Sequence, residues 1–343
     1  MKDIKIRDVK VILTEPDNIR LVIVKIETSE PELYGLGCAT FHQRPLAVAS
    51  AVNDYLKPLL INKSPHNIED IWQYNYQSSY WKNGSVLNNA ISGVDQALWD
   101  IKGKIAGLPL YDIFGGKTRE AAAVYAHASG KDIKEVEEHF SRLMEEGYHH
   151  IRVQVGTPGF AGYGAEGNFG GERHPQDGPK WITQRNSAPQ DYIKRTSKNP
   201  RRIEGIFEPK PYVRNALKLL DHIRSKFGFE IEILHDVHQR IPPILGVWMA
   251  KEVEKYQLFF LEDLFAPEDN DYFRMVRQQC STPIAMGELY NNPSEYIPMI
   301  KDRLIDFIRI HISDIGGLTP AKKLAGLCEA FGVRTAWHGP GDT

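Results

Sequence analysis

Three acids recur at a fixed interval in the second half of the chain. Asp236 closes the run ILHD, Glu262 belongs to the acidic pair that ends FFLED, and Glu288 ends IAMGE, each 26 residues after the one before. A short apolar run precedes each acid, so the interval is one strand plus one helix. In a barrel of parallel strands that spacing sets the three carboxylates side by side at the C-terminal ends of strands three, four and five. Like charges held together are costly unless a cation neutralises them. Oxygen donors without cysteine or paired histidine select Mg²⁺ over zinc. One such acid alone is better explained as a helix cap or a partner for Lys or Arg; three in register argue for a metal site. Asp263 is the alternative ligand to Glu262, or a residue that supports it. A cation there would hold a substrate carboxylate and stabilise the enediolate left when an α-proton departs. The reaction then needs a base and, for loss of a hydroxyl, an acid. His238 lies two residues past Asp236, on the same side of the strand end by period-two geometry.

The elements that would position these residues alternate from Ala121 onward. Apolar runs at Ala123–His127, Ile151–Val155, Ile231–Asp236, Leu258–Glu262, Ile284–Glu288, Phe307–Ser313 and Arg334–His338 read as strands. Helical patterns separate them: Ile133–Glu146, Tyr212–Phe227, Pro243–Tyr256, Asn270–Gln279, Pro293–Ile300 and Pro320–Phe331. Seven strand–helix units in series, the last incomplete, predict a TIM-like barrel over residues 121–343. No G-x-G-x-x-G follows any of the strands, which disfavours an open dinucleotide-binding sheet. Residues 1–120 read differently, with strands at Ile4–Leu13 and Arg20–Thr28, then helices at Pro45–Leu60, Ile68–Tyr80 and Val86–Ala106. Strands followed by helices predict a small α+β domain. The segment 156–207 is rich in Gly, Pro, Arg and Asn and leaves the second strand at the end where barrel active sites lie, so it is expected to be an active-site lid.

Composition bounds the partners. A net charge of −2 over 343 residues, with no basic stripe or helix-turn-helix pattern, gives no field for nucleic acid. Three scattered cysteines, Cys38, Cys280 and Cys328, argue against a disulfide framework and for a reducing compartment. The opening MKDIKIRDVKVIL alternates charged and apolar residues, as a strand does and a signal peptide does not. No run approaches the roughly 20 apolar residues that cross a bilayer, so a cytoplasmic protein is expected.

The run AISGVDQALWDIKGKIAGLPLYDIFGG, with VYAHASG, IRVQVG, ILHDVHQR, FLED, IAMGE and WHGPGD, resembles the D-mannonate dehydratase (starvation-sensing) group. That group lies in the mandelate racemase/muconate lactonizing enzyme branch of the enolase superfamily. The resemblance covers the chain from about Ile4 to Thr343. It implies an α/β fold made of an α+β capping domain and a modified (β/α)₇β TIM barrel, with one Mg²⁺ held by Asp236, Glu262 and Glu288. Racemases of this branch take their base from a K-x-K on the second strand, which here reads Arg152-Val-Gln154, so racemisation by that route is disfavoured. The resemblance makes Tyr163 of the long loop the base, with Arg152 beside it to lower the phenol's pKa. It makes His238 the acid for the leaving 3-hydroxyl. His127, Arg309, His338 and Asp342 match positions that contact the acid sugar, and His42 stands where the family has a substrate-contacting Asn.

The implied activity is dehydration of D-mannonate or D-gluconate to 2-keto-3-deoxy-D-gluconate by a cytoplasmic homo-oligomer. Two alternatives stay open: a catalytically weak homologue that binds an acid sugar or lactone in a starvation response, and a dehydratase or epimerase for another acid sugar. Departures from the family pattern bear on that choice. Cys38 replaces an Asp, His311 is atypical, and Ser313-Asp314 replaces Thr-His; an aspartate there would weaken anion binding if it faced the pocket. The family also continues past the position of Thr343, so the C-terminal part of the barrel is expected to be missing.

Overall fold

Buried Val22, Val24 and Ile26 alternate with less buried neighbours along Leu21–Thr28 (β2), which pairs antiparallel with Ile6–Thr14 (β1). The computed structural model describes residues 3–16, 20–156 and 208–339. A third strand, Tyr34–Cys38 (β3), completes this sheet in the order β1-β2-β3. The sequence reading missed β3 because its core, Tyr-Gly-Leu-Gly-Cys, has little of the β-branched character that marks a strand. Those glycines answer to packing. A Cβ on Gly35 would lie 1.9 Å from the Ala97 carbonyl oxygen, and one on Gly37 would lie 2.1 Å from that of Gly93.

Both carbonyls belong to a 22-residue helix, Ser85–Ala106, which is α4 in chain order. It follows Pro45–Ser50 (α1), Lys57–Leu60 (α2) and Ile68–Ser78 (α3). The single helix expected over Pro45–Leu60 is broken by a π-helical turn at Ala51–Leu56. Gly107, at φ 65°, ends α4 in the left-handed conformation that favours glycine, and Leu110–Ile113 (α5) follows. Ile91, Val94, Leu98 and Ile101 of α4 face the sheet and the other helices in one apolar core.

The second sheet holds seven parallel strands: Ala126–Gly130 (β4), His150–Val155 (β5), Glu232–Asp236 (β6), Phe260–Glu262 (β7), Ile284–Met286 (β8), Phe307–Ile308 (β9) and Arg334–Thr335 (β10). Helices alternate with them: Ile133–Glu145 (α6), Pro209–Phe227 (α7), Pro243–Glu252 (α8), Tyr272–Gln279 (α9), Pro293–Lys301 (α10) and Leu318–Phe331 (α11). Strand order is β10-β9-β8-β7-β6-β5-β4, and among the described residues β10 and β4 are not hydrogen-bonded to each other. Leu234, Phe260, Ala285 and Phe307 pack on the inner side of this curved sheet, and the larger apolar core lies between strands and helices. This is the seven-strand alternation read from the sequence, with two corrections. The first strand starts at Ala126 rather than Ala123, and the sixth turns after Ile308 into a 3₁₀ turn at Ser313–Ile315.

Cap and barrel meet where α3 and α4 touch the loop after β9 and the start of α11. Trp72 Nε1 donates to the Gly316 carbonyl at 2.8 Å, and Trp99 Nε1 to Thr319 Oγ1 at 2.9 Å. No helix among the described residues is long and apolar enough to cross a membrane.

Candidate active site

Asp236 and Glu262 are the last residues of β6 and β7 and sit opposite each other in register, so their side chains leave the same end of the sheet. Glu288 follows β8 by two residues. Asp263 adds a fourth acid: its φ of 47° is left-handed, and its carboxylate shares the site with that of Glu262. Among the described residues, the acids whose oxygens lie within 4.8 Å of one another are Glu262, Asp263 and Glu288. Asp236 is drawn the other way, with Oδ2 2.6 Å from Arg152 Nη1 and 2.8 Å from His238 Nε2.

Asp236, Glu262 and Asp263 have no solvent exposure, and that burial governs their charge. It opposes ionisation of Asp236, but His238 and then Arg152 outweigh it and hold this carboxyl well below the usual range. Glu288 is likewise opposed by burial, yet the hydrogen bond and charge of His338, 2.6 Å away, bring it down to about 2. Glu262 and Asp263 move upward. Burial comes first for both; the next push comes from Asp236 on Glu262 and from Glu288 on Asp263. Both Asp263 oxygens are buried without a hydrogen-bond partner among the described residues. Buried carboxylate oxygens without a hydrogen-bond partner, in a cluster of oxygen donors, are costly by themselves and suit a hard divalent cation such as Mg²⁺. The residues brought together, Glu262, Asp263 and Glu288, therefore fit such a cation, while Asp236 stands beside them turned to Arg152 and His238.

Around this cluster the expected residues take distinct places. Arg152, on β5, spends one donor on Asp236 and another on His127 Nδ1 at 3.2 Å. A guanidinium only donates, so His127 accepts at Nδ1. Burial, and then the charge of Arg152, lower His127 to about 3 and keep it neutral. Arg309 points into the cluster rather than outward. Its Nε donates to Glu262 at 2.8 Å, its Nη1 to the carbonyls of Ala336 and Trp337, and its Nη2 to the Tyr125 hydroxyl. Tyr125 in turn donates to the second Glu262 oxygen at 3.2 Å. The Arg309 guanidinium thus fixes Glu262 and the strand end beyond β10. His338 stacks on His311 with centroids 5.2 Å apart. His42, from the cap, is anchored by Nδ1 to the Arg20 carbonyl at 2.8 Å.

Two departures from the family pattern lie away from the cluster's acids. Asp314 faces α4 rather than the pocket: Asn89 Nδ2 donates to its carboxyl at 3.1 Å and Asn88 Nδ2 to its carbonyl at 2.8 Å. Cys38 is buried at the end of β3. Tyr163 and Asp342 lie outside the described residues. The sequence reading gave no role to Tyr125 or Arg240, although both stand in motifs it singled out.

Two family models match the chain. The mandelate racemase/muconate lactonizing enzyme N-terminal domain covers residues 2–115, and the enolase C-terminal domain-like model covers residues 135–343. A D-galactonate dehydratase family member of Salmonella virchow is 52% identical over all of this chain and 79% of its own length. Another from Enterocloster bolteae is 51% identical over 100% of this chain and 78% of that protein. The chain belongs to the D-galactonate dehydratase family. Among solved structures, an enolase from Pantoea ananatis with bound D-gluconate and Mg is 51% identical. It superposes with a TM-score of 0.85 over 98% of this chain and 78% of that one. A member of the enolase superfamily from Salmonella Typhimurium, 24% identical, shares the fold with a TM-score of 0.77 over 98% of this chain and 80% of that one.

Proposed function

We propose that this chain is a Mg²⁺-dependent dehydratase that converts an aldonic acid, D-gluconate or D-mannonate, to 2-keto-3-deoxy-D-gluconate. The observation that carries this reading is the cluster of three carboxylates, Glu262, Asp263 and Glu288, with buried Asp236 beside it at the neighbouring strand end. It stands in a chain half identical to a protein that binds D-gluconate and Mg. Asp236, Glu262 and Glu288 would hold the cation, with Asp263 beside them. When bound, the cation supplies a fixed positive charge for the substrate carboxylate and for the negative charge that builds on it as the α-proton leaves.

The remaining work falls to side chains. The C2–H bond breaks toward a base, and the family resemblance gives that role to Tyr163, with Arg152 to favour its phenolate. The C3–O bond then breaks, and the hydroxyl leaves as water with a proton from His238. The enol product tautomerises to the 2-keto acid. His127, His338 and His42, with Asp342, are placed by the resemblance on the sugar's carboxylate and hydroxyls. Arg309 acts through Glu262, to which it donates at 2.8 Å. Assembly as a homo-oligomer in the cytoplasm belongs to the same reading.

The test is turnover of a panel of aldonic and other sugar acids with Mg²⁺, detecting 2-keto-3-deoxy products. Product from gluconate or mannonate supports the proposal. Silence across the panel from a folded protein that still binds Mg²⁺ would replace it with a non-catalytic acid-sugar binder.

A further inference from the structure

Past the end of β9 the chain runs on along its neighbour before it turns. His311 forms a parallel bridge with His338, whose backbone N–H donates to the Ile310 carbonyl at 3.0 Å. The two imidazole rings stack, with centroids 5.2 Å apart and planes 28° from parallel. Ser313 Oγ lies 2.8 Å from His311 Nδ1, and the His311 carbonyl accepts from the Asp314 N–H at 3.0 Å. The same turn is seated on the cap, through Asn88 to the Asp314 carbonyl and Trp72 to the Gly316 carbonyl. The His311 ring is therefore held by one face and by Nδ1. Its Nε2 meets no protein group among the described residues, and the residue is half-buried rather than sealed.

We propose that His311 is a specificity-determining residue whose Nε2 binds a hydroxyl of the sugar acid beyond the reacting C2 and C3. The inference rests on the reading of the site as one for an aldonic acid, in which the acidic cluster takes the carboxylate end and His238 acts at C3. His338 stands between His311 and that cluster, with Nε2 2.6 Å from Glu288 Oε2. The charges that bear on the His311 ring are those of His338, then His42 of the cap, Glu288 and Arg309. The ring thus belongs to the wall that cap and barrel share, one residue further from the cluster than His338. Burial, and then His338, bring it down to about 4, so the ring is neutral. A neutral imidazole edge suits a hydroxyl, which donates or accepts as the ring requires, whereas a carboxylate only accepts. A half-buried polar edge without a protein partner is unfavourable until a ligand or water meets it. The stack and the Ser313 contact fix the ring before any ligand arrives, so little ordering cost falls on binding. A site built in this way discriminates against an acid that lacks the hydroxyl.

The experiment is calorimetric binding of two acids to the Mg²⁺-loaded chain: D-gluconate, and D-glycerate, which ends at C3. Mg²⁺ binding and turnover of D-gluconate are measured beside them. His311→Ala is expected to weaken D-gluconate about 10-fold, the effect of one lost hydrogen bond, and to leave D-glycerate and Mg²⁺ within about twofold. His311→Gln, which keeps a polar edge, is expected to bind D-gluconate within about threefold of the wild type. Unchanged D-gluconate binding in His311→Ala overturns the proposal. So does an equal loss for both acids, or a loss of Mg²⁺ affinity, since either would put the effect on His338 and Glu288 instead of the far end of the sugar. The expected pattern of binding from a wild type that turns over no sugar acid keeps the role of His311 and removes the dehydratase reading. A wild type that turns over D-gluconate, with a His311→Ala variant that binds it equally well, does the reverse.

Discussion

Glu262 has both oxygens engaged, Oε1 by buried Arg309 and Oε2 by half-buried Tyr125. Removing its charge would leave Arg309 partly unneutralised and take one anion from the group that suits a divalent cation. Glu262→Gln is therefore expected to lose tight Mg²⁺ binding by calorimetry and to lower turnover at least about 100-fold, because a buried charge pair is broken together with the donor. Unchanged Mg²⁺ affinity in that variant would remove the metal assignment. The acids were legible because a spacing of 26 residues survives in a linear sequence. The direction in which each points was not. Asp263 joins Glu262 through a left-handed backbone angle, and Arg309 turns inward to acceptors up to 184 residues away in sequence. Neither leaves a periodic trace, so the sequence offered Asp263 only as an alternative ligand or a supporting residue, and only the family resemblance gave Arg309 a place, on the sugar.

Elements show the same division. The barrel strands were readable from apolar runs, whereas β3 was hidden because its close approach to α4 demands glycine where strand formers would be the signal. Gly37→Ala puts a methyl group 2.1 Å from a backbone carbonyl oxygen that cannot step aside without moving α4. A loss of about 3 kcal/mol in denaturant unfolding is expected, and a loss under 1 kcal/mol would mean that β3 and α4 are less tightly seated than the structure has them. At the other end of α4, Asp314 carries a pH dependence. Burial pushes its carboxyl up to about 7 against hydrogen bonds from Ser85 and Asn89. Its folded-state pKa is raised, so the contribution to stability is complete below about pH 4, is lost as pH climbs through about 7, and stays lost above. Asp314→Asn keeps the shape and is neutral throughout. The variant is expected to match the wild type near pH 4 and to be more stable at pH 8, by at most about 4 kcal/mol. Equal melting temperatures at pH 8 would contradict the burial of this acid.

At the scale of the molecule, the alternation of strands and helices was readable, but the contacts that join cap to barrel were not. Trp72 reaches Gly316 across 244 positions, and Trp99 reaches Thr319 across 220. Pairings so distant are set by the finished shape of both sheets rather than by local pattern. They have an energetic consequence. Thr319 accepts from Trp99 while its hydroxyl donates to the buried Asp95 at 2.5 Å, and its backbone N–H donates to the same carboxyl at 2.9 Å. A cap helix residue, a barrel helix residue and a buried acid thus share one network, which cannot open on one side alone without leaving polar groups unpaired in the interior. Cap and barrel are therefore expected to unfold in a single transition, with far-ultraviolet circular dichroism and tryptophan fluorescence giving coincident curves. Trp99→Phe keeps most of the apolar contact but removes the donor and leaves a small void. Both probes should then shift together, by about 2 kcal/mol, toward lower denaturant. Curves that separate in either protein, with fluorescence changing before the helical signal, would show that the cap releases first and that the network does not couple the two sheets.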